Sequence, residues 1–331
     1  MKPLHQGQKW VLFSQDRIFN HYGKILLNHL IDAKFCVELI LLPDGEVAKS
    51  ISEVENIYSQ LIKMGCDRSA TFMALGGGVV GDVTGFIAST FMRGVDYIQI
   101  PTTLLAMVDS SIGGKTGINL LHGKNLIGTI WQPKAVVIDP ELLSSLPKRE
   151  ITSAMGEIIK YSVIFDRDLF ALIEKNLDLL LDCSKCSQLN EIIGRCTKLK
   201  ADIIVEDERE NGKRRILNFG HTIGHALETY FGFNILRHGE AIAYGILAAA
   251  ELSIEYAKLE HQQFDLIKNI IKRLPLPKLP NFSSKNIIQL MQSDKKIQFG
   301  KINFILLEDI GSAVVQNNIS EESIINILEA I

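Results

Sequence analysis

The sequence predicts a nucleotide-type α/β domain followed by an all-α domain, and three observations carry that prediction. Strand-length apolar runs alternate with helical spacing through the first 140 residues, whereas nearly everything after about residue 145 reads as helix. A glycine-rich loop follows a buried strand run in the first half. In the second half, three of the chain's 8 histidines crowd into residues 221–238. With 331 residues the chain can bury two cores, and the sequence places the break between 1–145 and 146–331.

Residues 10–13 and 36–42 are short β-branched or apolar runs of strand length. Residues 51–64 then show helical spacing, with Gly65 as the C-cap. Residues 69–75 form a buried strand candidate leading straight into Gly76-Gly77-Gly78. A strand over 97–100 is closed by Pro101, and 135–138 is a further one before Asp139-Pro140. This βαβα rhythm argues for a mostly parallel sheet with helices on both faces. Helices are expected over 151–161, 169–181, 188–205, 221–230, 239–259 and 263–273. A proline-rich link at 274–280 interrupts them, and a short apolar strand follows at 302–307.

Composition narrows the function. The net charge of −3 is spread out with no basic stripe, which argues against nucleic acid as a partner. Small anions would have to be held by local clusters of Lys and Arg. No apolar run approaches the roughly 18 residues a membrane span needs, and residues 1–9 lack an apolar signal core. The 5 cysteines are odd in number and scattered, and the Cys183/Cys186 spacing has no second pair, so free thiols in a reducing cytoplasm are expected.

The loop Gly76-Gly77-Gly78-Val79-Val80-Gly81-Asp82 fits G-x-G-x-x-G in the right context, after a strand and opening a helix. Glycine turns at strand ends are common, so the pattern alone is weak. Asp96 stands near the spacing of a ribose-binding acid but directly precedes a strand. A second loop, Asp109 to Gly117, resembles a P-loop but has Asp109 where glycine is required. Its Gly-Gly-Lys-Thr run, with His122-Gly123-Lys124-Asn125 beyond, either offers donors to an anion or forms two exposed turns.

His221 and His225 are four apart, one helical turn on a single face. His238 arrives after a glycine-containing turn and opens a second helical pattern, with Glu228 and Glu240 nearby. Two helices can bring imidazoles to one divalent metal in this way, although an i, i+4 histidine pair can also be two surface residues. Glu157 and Lys160 are three apart with apolar flanks, so at least one faces the interior or a cleft. Glu157 would complete a His2Glu set with His221 and His238. By default the acidic run 206–210 is a solvated loop and Asp294-Lys295-Lys296 a surface charge cluster.

Taken together these segments closely resemble the 3-dehydroquinate synthase family of sugar phosphate cyclases. The resemblance rests on Pro43 to Lys49, Gly76 to Asp82, Phe91 to Gly94, Gln99 to Asn119, His122 to Gly128, Glu157 to Tyr161, Asn218 to Ala226, and His238 to Glu240. It implies a dehydroquinate synthase-like fold, an N-terminal NAD-binding domain with an all-α metal-binding domain after it. It also implies conversion of 3-deoxy-D-arabino-heptulosonate 7-phosphate to 3-dehydroquinate and phosphate, in the shikimate pathway. In that chemistry NAD is transiently reduced at C5, phosphate is eliminated, the hydride returns, and ring opening and an aldol closure follow. The resemblance further implies a homodimer without nucleic-acid or membrane partners, and one divalent metal, Zn²⁺ before Co²⁺.

By the same resemblance the metal ligands are Glu157, His221 and His238, with His225 beside them as a substrate-phosphate or supporting group. Glu46, Lys49, Gly77, Gly78, Val79, Asp82, Thr102, Thr103, Asp109, Ser110, Lys124 and Asn125 match cofactor positions. Lys115, Lys160, Lys200, Arg214, Asn218, Glu210 and one of Lys295 or Lys296 match the substrate cluster, with Arg93 reaching in from a partner subunit. Asp109, Lys115, Lys160 and His225 carry catalytic roles, Asp109 by accepting a hydrogen bond from the hydroxyl to be oxidised. The chain departs from the family pattern where an acid commonly binds the adenosine ribose, since Gln15 stands there unless Asp16 serves. It also has Ser162 where many relatives carry glycine. Competing readings are a sister cyclase acting on another sugar phosphate, a metal-dependent polyol dehydrogenase, and a non-catalytic nucleotide-binding protein.

Overall fold

The computed structural model describes residues 8–182, 186–210, 212–232, 235–293 and 302–331. The chain forms two compact units that part between Leu146 and Pro147.

In the first unit β1 (Lys9–Gln15) runs into α1 (Asp16–Ile18), a π-type turn Phe19–Gly23 and α2 (Lys24–Asp32). Next come β2 (Cys36–Leu42), a 3₁₀ turn Gly45–Lys49 and α3 (Ile51–Lys63). Then follow β3 (Thr71–Gly76), α4 (Gly78–Thr90) and β4 (Asp96–Pro101). After a π-type turn Ala106–Ser110, β5 (Lys115–Leu120) and β6 (Gly123–Ile130) form a hairpin, and β7 (Ala135–Val136) returns to the main sheet.

That sheet is wholly parallel, in the order β2-β1-β3-β4-β7. β3 is buried along its whole length, which explains why it reads as an unbroken apolar run. One face packs Phe13, Phe72, Val83, Ile87 and Tyr97 into a common core. The other packs Trp10, Leu12, Met73 and Leu75 against Leu26, Leu27 and Leu30 of α2. The chain leaves β1 towards β2 on one side and β3 on the other. The gap between β1 and β3 is therefore a topological switch point, where open α/β sheets bind ligands at the carboxyl ends of their strands.

Two stretches depart from expectation. The segment after Asp109, open to reading as an anion-binding loop or as two exposed turns, is mostly the β5–β6 hairpin. It needs small residues because a Cβ on Gly128 would stand 2.2 Å from the Thr116 carbonyl oxygen of the facing strand. The helical stretch from Asp16 to Asp32 was not marked by the sequence patterning.

The second unit is helical. It comprises α5 (Lys148–Phe165), α6 (Arg167–Leu180), α7 (Leu189–Glu206), a 3₁₀ turn Lys213–Asn218, α8 (His221–Phe231), α9 (His238–Tyr256) and α10 (His261–Lys272). α11 (Ser284–Ser293) and α12 (Glu321–Ala330) flank the antiparallel hairpin of β8 (Phe304–Asp309) and β9 (Ser312–Gln316). Buried side chains anchor β8, as Ser253 Oγ accepts from Leu307 N at 2.9 Å and Gln263 Oε1 from Ile310 N at 2.9 Å. No described helix is long and apolar enough to cross a membrane.

Candidate active site

In the first unit the cofactor-matching residues gather at the carboxyl ends of β3 and β4. β3 stops at Gly76, Gly77 caps α4, and Gly78 is the first helical residue, so the amide groups of α4's first turn point out of the strand end. Thr102 N donates to the Gly76 carbonyl at 3.0 Å, which ties the end of β4 to the same turn. A Cβ on Gly77 would lie 3.1 Å from Thr103 Cγ2, and one on Gly78 would lie 3.1 Å from Ser110 Oγ. Ser110 Oγ is buried with no protein partner, so its hydroxyl is available to a ligand.

Beside this turn lies a connected polar network. Lys49, 3% exposed, pairs with Asp82 at 2.6 Å and donates to Asn125 Oδ1. Asn119 bridges, donating to Glu46 at 2.8 Å while accepting from Asn125 N at 3.0 Å, and Lys124 reaches Glu46 at 3.1 Å. Burial works against charge on Glu46, but the hydrogen bonds from Asn119 and Lys124 outweigh it and hold the carboxyl below its ordinary value. Glu46, Lys49, Asp82, Lys124 and Asn125 are thus linked in one network although they come from three separate stretches of sequence. Asn119, within the resembling segment but not among the expected site residues, joins Glu46 to Asn125.

At the end of β1, Gln15 Nε2 is spent on the Pro43 carbonyl at 3.0 Å, while exposed Asp16 accepts from Asn20 at 3.0 Å. Asp109 lies in the turn Ala106–Ser110, and Lys115 opens β5 and is exposed. Arg93 is exposed and held at φ 67°, directly after Met92 at φ 50°. Two successive side-chain-bearing residues in the left-handed region are costly, and such strain clusters at functional positions.

In the second unit three helices build a histidine–carboxylate cluster. α8 begins at His221, so His225 lies one turn on, and α9 begins at His238. The three rings stand with centroids 5.1, 5.7 and 5.6 Å apart. One nitrogen from each of the three lies within 4.8 Å of the others. Glu157, on α5, is fully buried, and its Oε1 lies 3.3 Å from Nε2 of His221 and 3.3 Å from Nε2 of His238. Neither Glu157 oxygen has a well-aligned hydrogen bond, and Lys160 contacts Oε2. The expectation that one of Glu157 and Lys160 faces inward is exceeded, since both are buried.

The far sides of the rings are fixed too. His221 Nδ1 donates to the Phe219 carbonyl at 3.0 Å, and His238 Nδ1 meets the Glu228 carboxylate at 3.0 Å. With both Nδ1 atoms engaged, both Nε2 atoms point at one carboxylate oxygen, as in carboxylate–histidine–metal arrangements. A proton on His238 Nε2 bridges it to the carboxylate, and on its loss two imidazole lone pairs and an anionic oxygen converge on one point, which favours a cation there. A donor set of two imidazoles and a buried carboxylate with one oxygen turned to both fits a divalent metal.

Protonation follows the same logic. Glu157 is pushed up by burial, but the charges of Lys160 and the histidines prevail and hold it well below its ordinary value. Burial and the Lys160 charge push His221 down to about 3. Burial also disfavours charge on His238, yet its bonds to Glu157 and Glu228 raise it to about 10.

In the same unit, Lys200 on α7 and Arg214 in the turn Lys213–Asn218 are buried, at 7% and 2% exposure. Part of the acidic run is structural rather than merely solvated. Asp207 Oδ2 accepts from Gly212 N at 2.7 Å and from Arg214 N at 3.1 Å, and Glu210 accepts from Asn218 Nδ2 at 2.6 Å. Lys295 and Lys296 lie outside the described residues. From the sequence Glu228 and Glu240 are legible only as carboxylates near the histidines. The i, i+7 spacing of Glu228 from His221, two turns along one helix face, was the available signal.

The sequence matches the family descriptions "3-dehydroquinate synthase N-terminal" over residues 39–153 and "3-dehydroquinate synthase C-terminal" over residues 154–297. The 3-dehydroquinate synthase of Crocosphaera subtropica is 43% identical over 334 residues, covering 100% of this chain and 92% of that one. The chain belongs to the 3-dehydroquinate synthase family.

Among solved structures, 2-epi-5-epi-valiolone synthase from Streptomyces hygroscopicus subsp. jinggangensis, with NAD⁺ and Zn²⁺ bound, superposes with TM-score 0.91 at 26% identity. The match covers 98% of this chain and 90% of that one. A 2-deoxy-scyllo-inosose synthase complexed with carbaglucose-6-phosphate, NAD⁺ and Co²⁺ gives TM-score 0.85 at 27% identity, over 98% of this chain and 90% of that one. The family's architecture, a parallel-sheet α/β domain followed by a helical domain, is the architecture found here.

Proposed function

We propose that this family member converts 3-deoxy-D-arabino-heptulosonate 7-phosphate to 3-dehydroquinate and inorganic phosphate, with NAD held in the first unit and one divalent cation, Zn²⁺ before Co²⁺, held by Glu157, His221 and His238. Its activity is that of a 3-dehydroquinate synthase, as in relatives 43% identical along the whole chain. The observation that carries the site assignment is Glu157, fully buried, with Nε2 of both His221 and His238 at 3.3 Å from one of its oxygens.

When bound, NAD supplies a reversible hydride sink, and the cation supplies Lewis acidity and a template for substrate oxygens. The chain's own residues do the rest. Gly77, Gly78 and Val79 present backbone amides to the pyrophosphate, while Lys49, Asp82, Thr102, Thr103, Ser110, Glu46, Lys124 and Asn125 orient the nucleotide. Asp109 accepts the hydrogen bond of the hydroxyl to be oxidised. Lys115, Lys160, Lys200, Arg214, Asn218 and His225, with one of Lys295 or Lys296, neutralise the substrate's carboxylate and phosphate, and Glu210 holds Asn218. A dianionic phosphate must be compensated to bind and then stabilised as it leaves, which a set of fixed cations achieves electrostatically.

The working unit is a homodimer in this reading, in the cytoplasm. The strained, exposed backbone at Met92 and Arg93 supports a role for Arg93 in presenting its guanidinium to a partner subunit's substrate phosphate. Cys36, Cys66, Cys186 and Cys196 are unpaired, which suits a reducing compartment.

The deciding experiment measures phosphate release from 3-deoxy-D-arabino-heptulosonate 7-phosphate with catalytic NAD, before and after chelation. Phosphate release with dehydroquinate formation, no net NADH and sensitivity to the chelator are expected. No turnover of this substrate, with turnover of another sugar phosphate, would transfer the chain to a sister cyclase chemistry.

Cation binding should release one proton. Without a cation His238 keeps its proton up to about 10, whereas His221 and Glu157 are already deprotonated at neutral pH. Affinity should therefore rise about tenfold per pH unit between neutrality and that value and level off above it. Calorimetry in buffers of different ionisation enthalpy counts the proton, and a count of zero contradicts the ligand set.

A further inference from the structure

The triplet His238-Gly239-Glu240 contains one proposed ligand, and the role of its other two residues comes from how α5 and α9 meet. A Cβ on Gly239 would stand 1.7 Å from the Ser153 carbonyl oxygen, and one on Gly156 would stand 2.1 Å from the Gly239 carbonyl oxygen. The two backbones are therefore in direct contact at residues adjacent in sequence to Glu157 and His238. Gly239 N also donates to Ser153 Oγ at 3.1 Å, satisfying one of the free amides of α9's first turn. Glu240 is fully buried and receives Arg149 Nε at 2.7 Å, Arg149 Nη2 at 2.8 Å and Arg237 N at 2.8 Å. Arg149 Nη2 donates as well to the Ile235 carbonyl at 2.7 Å, and Glu150 pairs with Arg237. The first turn of α5 is thus clamped to the first turn of α9.

We infer that Gly239, Glu240 and Arg149 are positioning residues for the metal site. They fix the separation of α5 and α9, and through it the 3.3 Å approach of His238 Nε2 to Glu157, so the site is formed before a cation arrives. The inference rests on the proposed assignment of Glu157, His221 and His238 as ligands. No other choice of residue at 239 permits the contact, because even one methyl group must push the helices apart.

The test titrates Co²⁺ into the full-length, cation-free chain and reads both affinity, by competition with a chelator, and the visible absorption of bound Co²⁺. Gly239→Ala, Glu240→Gln and Arg149→Lys are compared with wild type and with Gly194→Ala, a control on α7 where an added methyl meets nothing within 4 Å. Gly239→Ala should weaken Co²⁺ binding at least tenfold and alter the absorption band, and the two clamp variants should do so to a smaller degree. Gly194→Ala should match wild type, and NAD affinity should hold in every variant. Should the G239A chain fail to fold, the clamp variants give the same reading. Lower melting temperatures with unchanged Co²⁺ affinity and spectrum would reduce the clamp to a stability device and overturn the inference. A wild-type chain that binds no Co²⁺, or a His221→Ala chain that binds it undiminished, would instead overturn the ligand assignment beneath it.

Discussion

Replacing Glu157 with Gln is expected to lower cation affinity about a thousandfold and turnover by at least as much. The carboxylate is fully buried, faces Nε2 of both His221 and His238, and is the counter-charge of buried Lys160. Removing one partner of a buried pair costs about 3–5 kcal/mol, and about 1.4 kcal/mol is a factor of ten in affinity. Part of that loss falls on the fold, because Lys160 then keeps a buried charge without compensation. The double variant Glu157→Gln, Lys160→Met separates the two effects. Its melting temperature should recover towards wild type while cation affinity stays low. A Glu157→Gln chain that holds Zn²⁺ within tenfold of wild type would remove Glu157 from the ligand set.

Gly78→Val is expected to weaken NAD binding about a hundredfold, or about 3 kcal/mol, and to leave Co²⁺ affinity unchanged. Gly78 is the first residue of α4, where the backbone amides of a helix N-terminus must come within reach of a pyrophosphate. Any Cβ there already stands 3.1 Å from Ser110 Oγ, and the branched valine side chain would occupy the approach itself. Gly78→Ala should give a smaller loss of the same kind. Tryptophan quenching or calorimetry with NAD measures it, and an affinity within threefold of wild type would place the nucleotide elsewhere. Retention of Co²⁺ binding in this variant, and of NAD binding in Glu157→Gln, would show that each unit carries its own ligand.

Much of this was legible in the sequence because local rules govern it. Strand 71–76 announces itself as an apolar run because a central parallel strand is buried on both faces. Strand 36–42 is legible from its β-branched and apolar content although it lies at the sheet edge and is only partly buried, and α8 and α9 start where the histidines stand. The i, i+4 spacing of His221 and His225 requires only that the segment be helical. The β5–β6 hairpin was not legible. Gly-Gly-Lys-Thr and His-Gly-Lys-Asn carry turn chemistry but give no sign of which strand they face, and the pairing across Gly117 and Gly128 is a contact between backbones.

The chain's residues by themselves determined the strand–helix alternation of the first half and the helices from α5 to α10, the glycine turn at the end of β3 and the identity of the groups able to ligate a cation or compensate phosphate. Those properties depend on spacing along one element and on side-chain chemistry. Only the tertiary structure decided several of the groupings: Asn119 between Glu46 and Asn125, Glu228 behind His238, and Arg149 on Glu240, along with the 3.3 Å approach of both imidazoles to one oxygen of Glu157. Apart from the turn contact of Asn119 with Asn125, each of these contacts joins residues ten or more positions apart. The helix and strand periodicities fix only which way a side chain leaves its own element. Which partner it meets is set by how closely two backbones approach, and at Gly156 and Gly239 that distance is set by the absence of a single carbon atom on each.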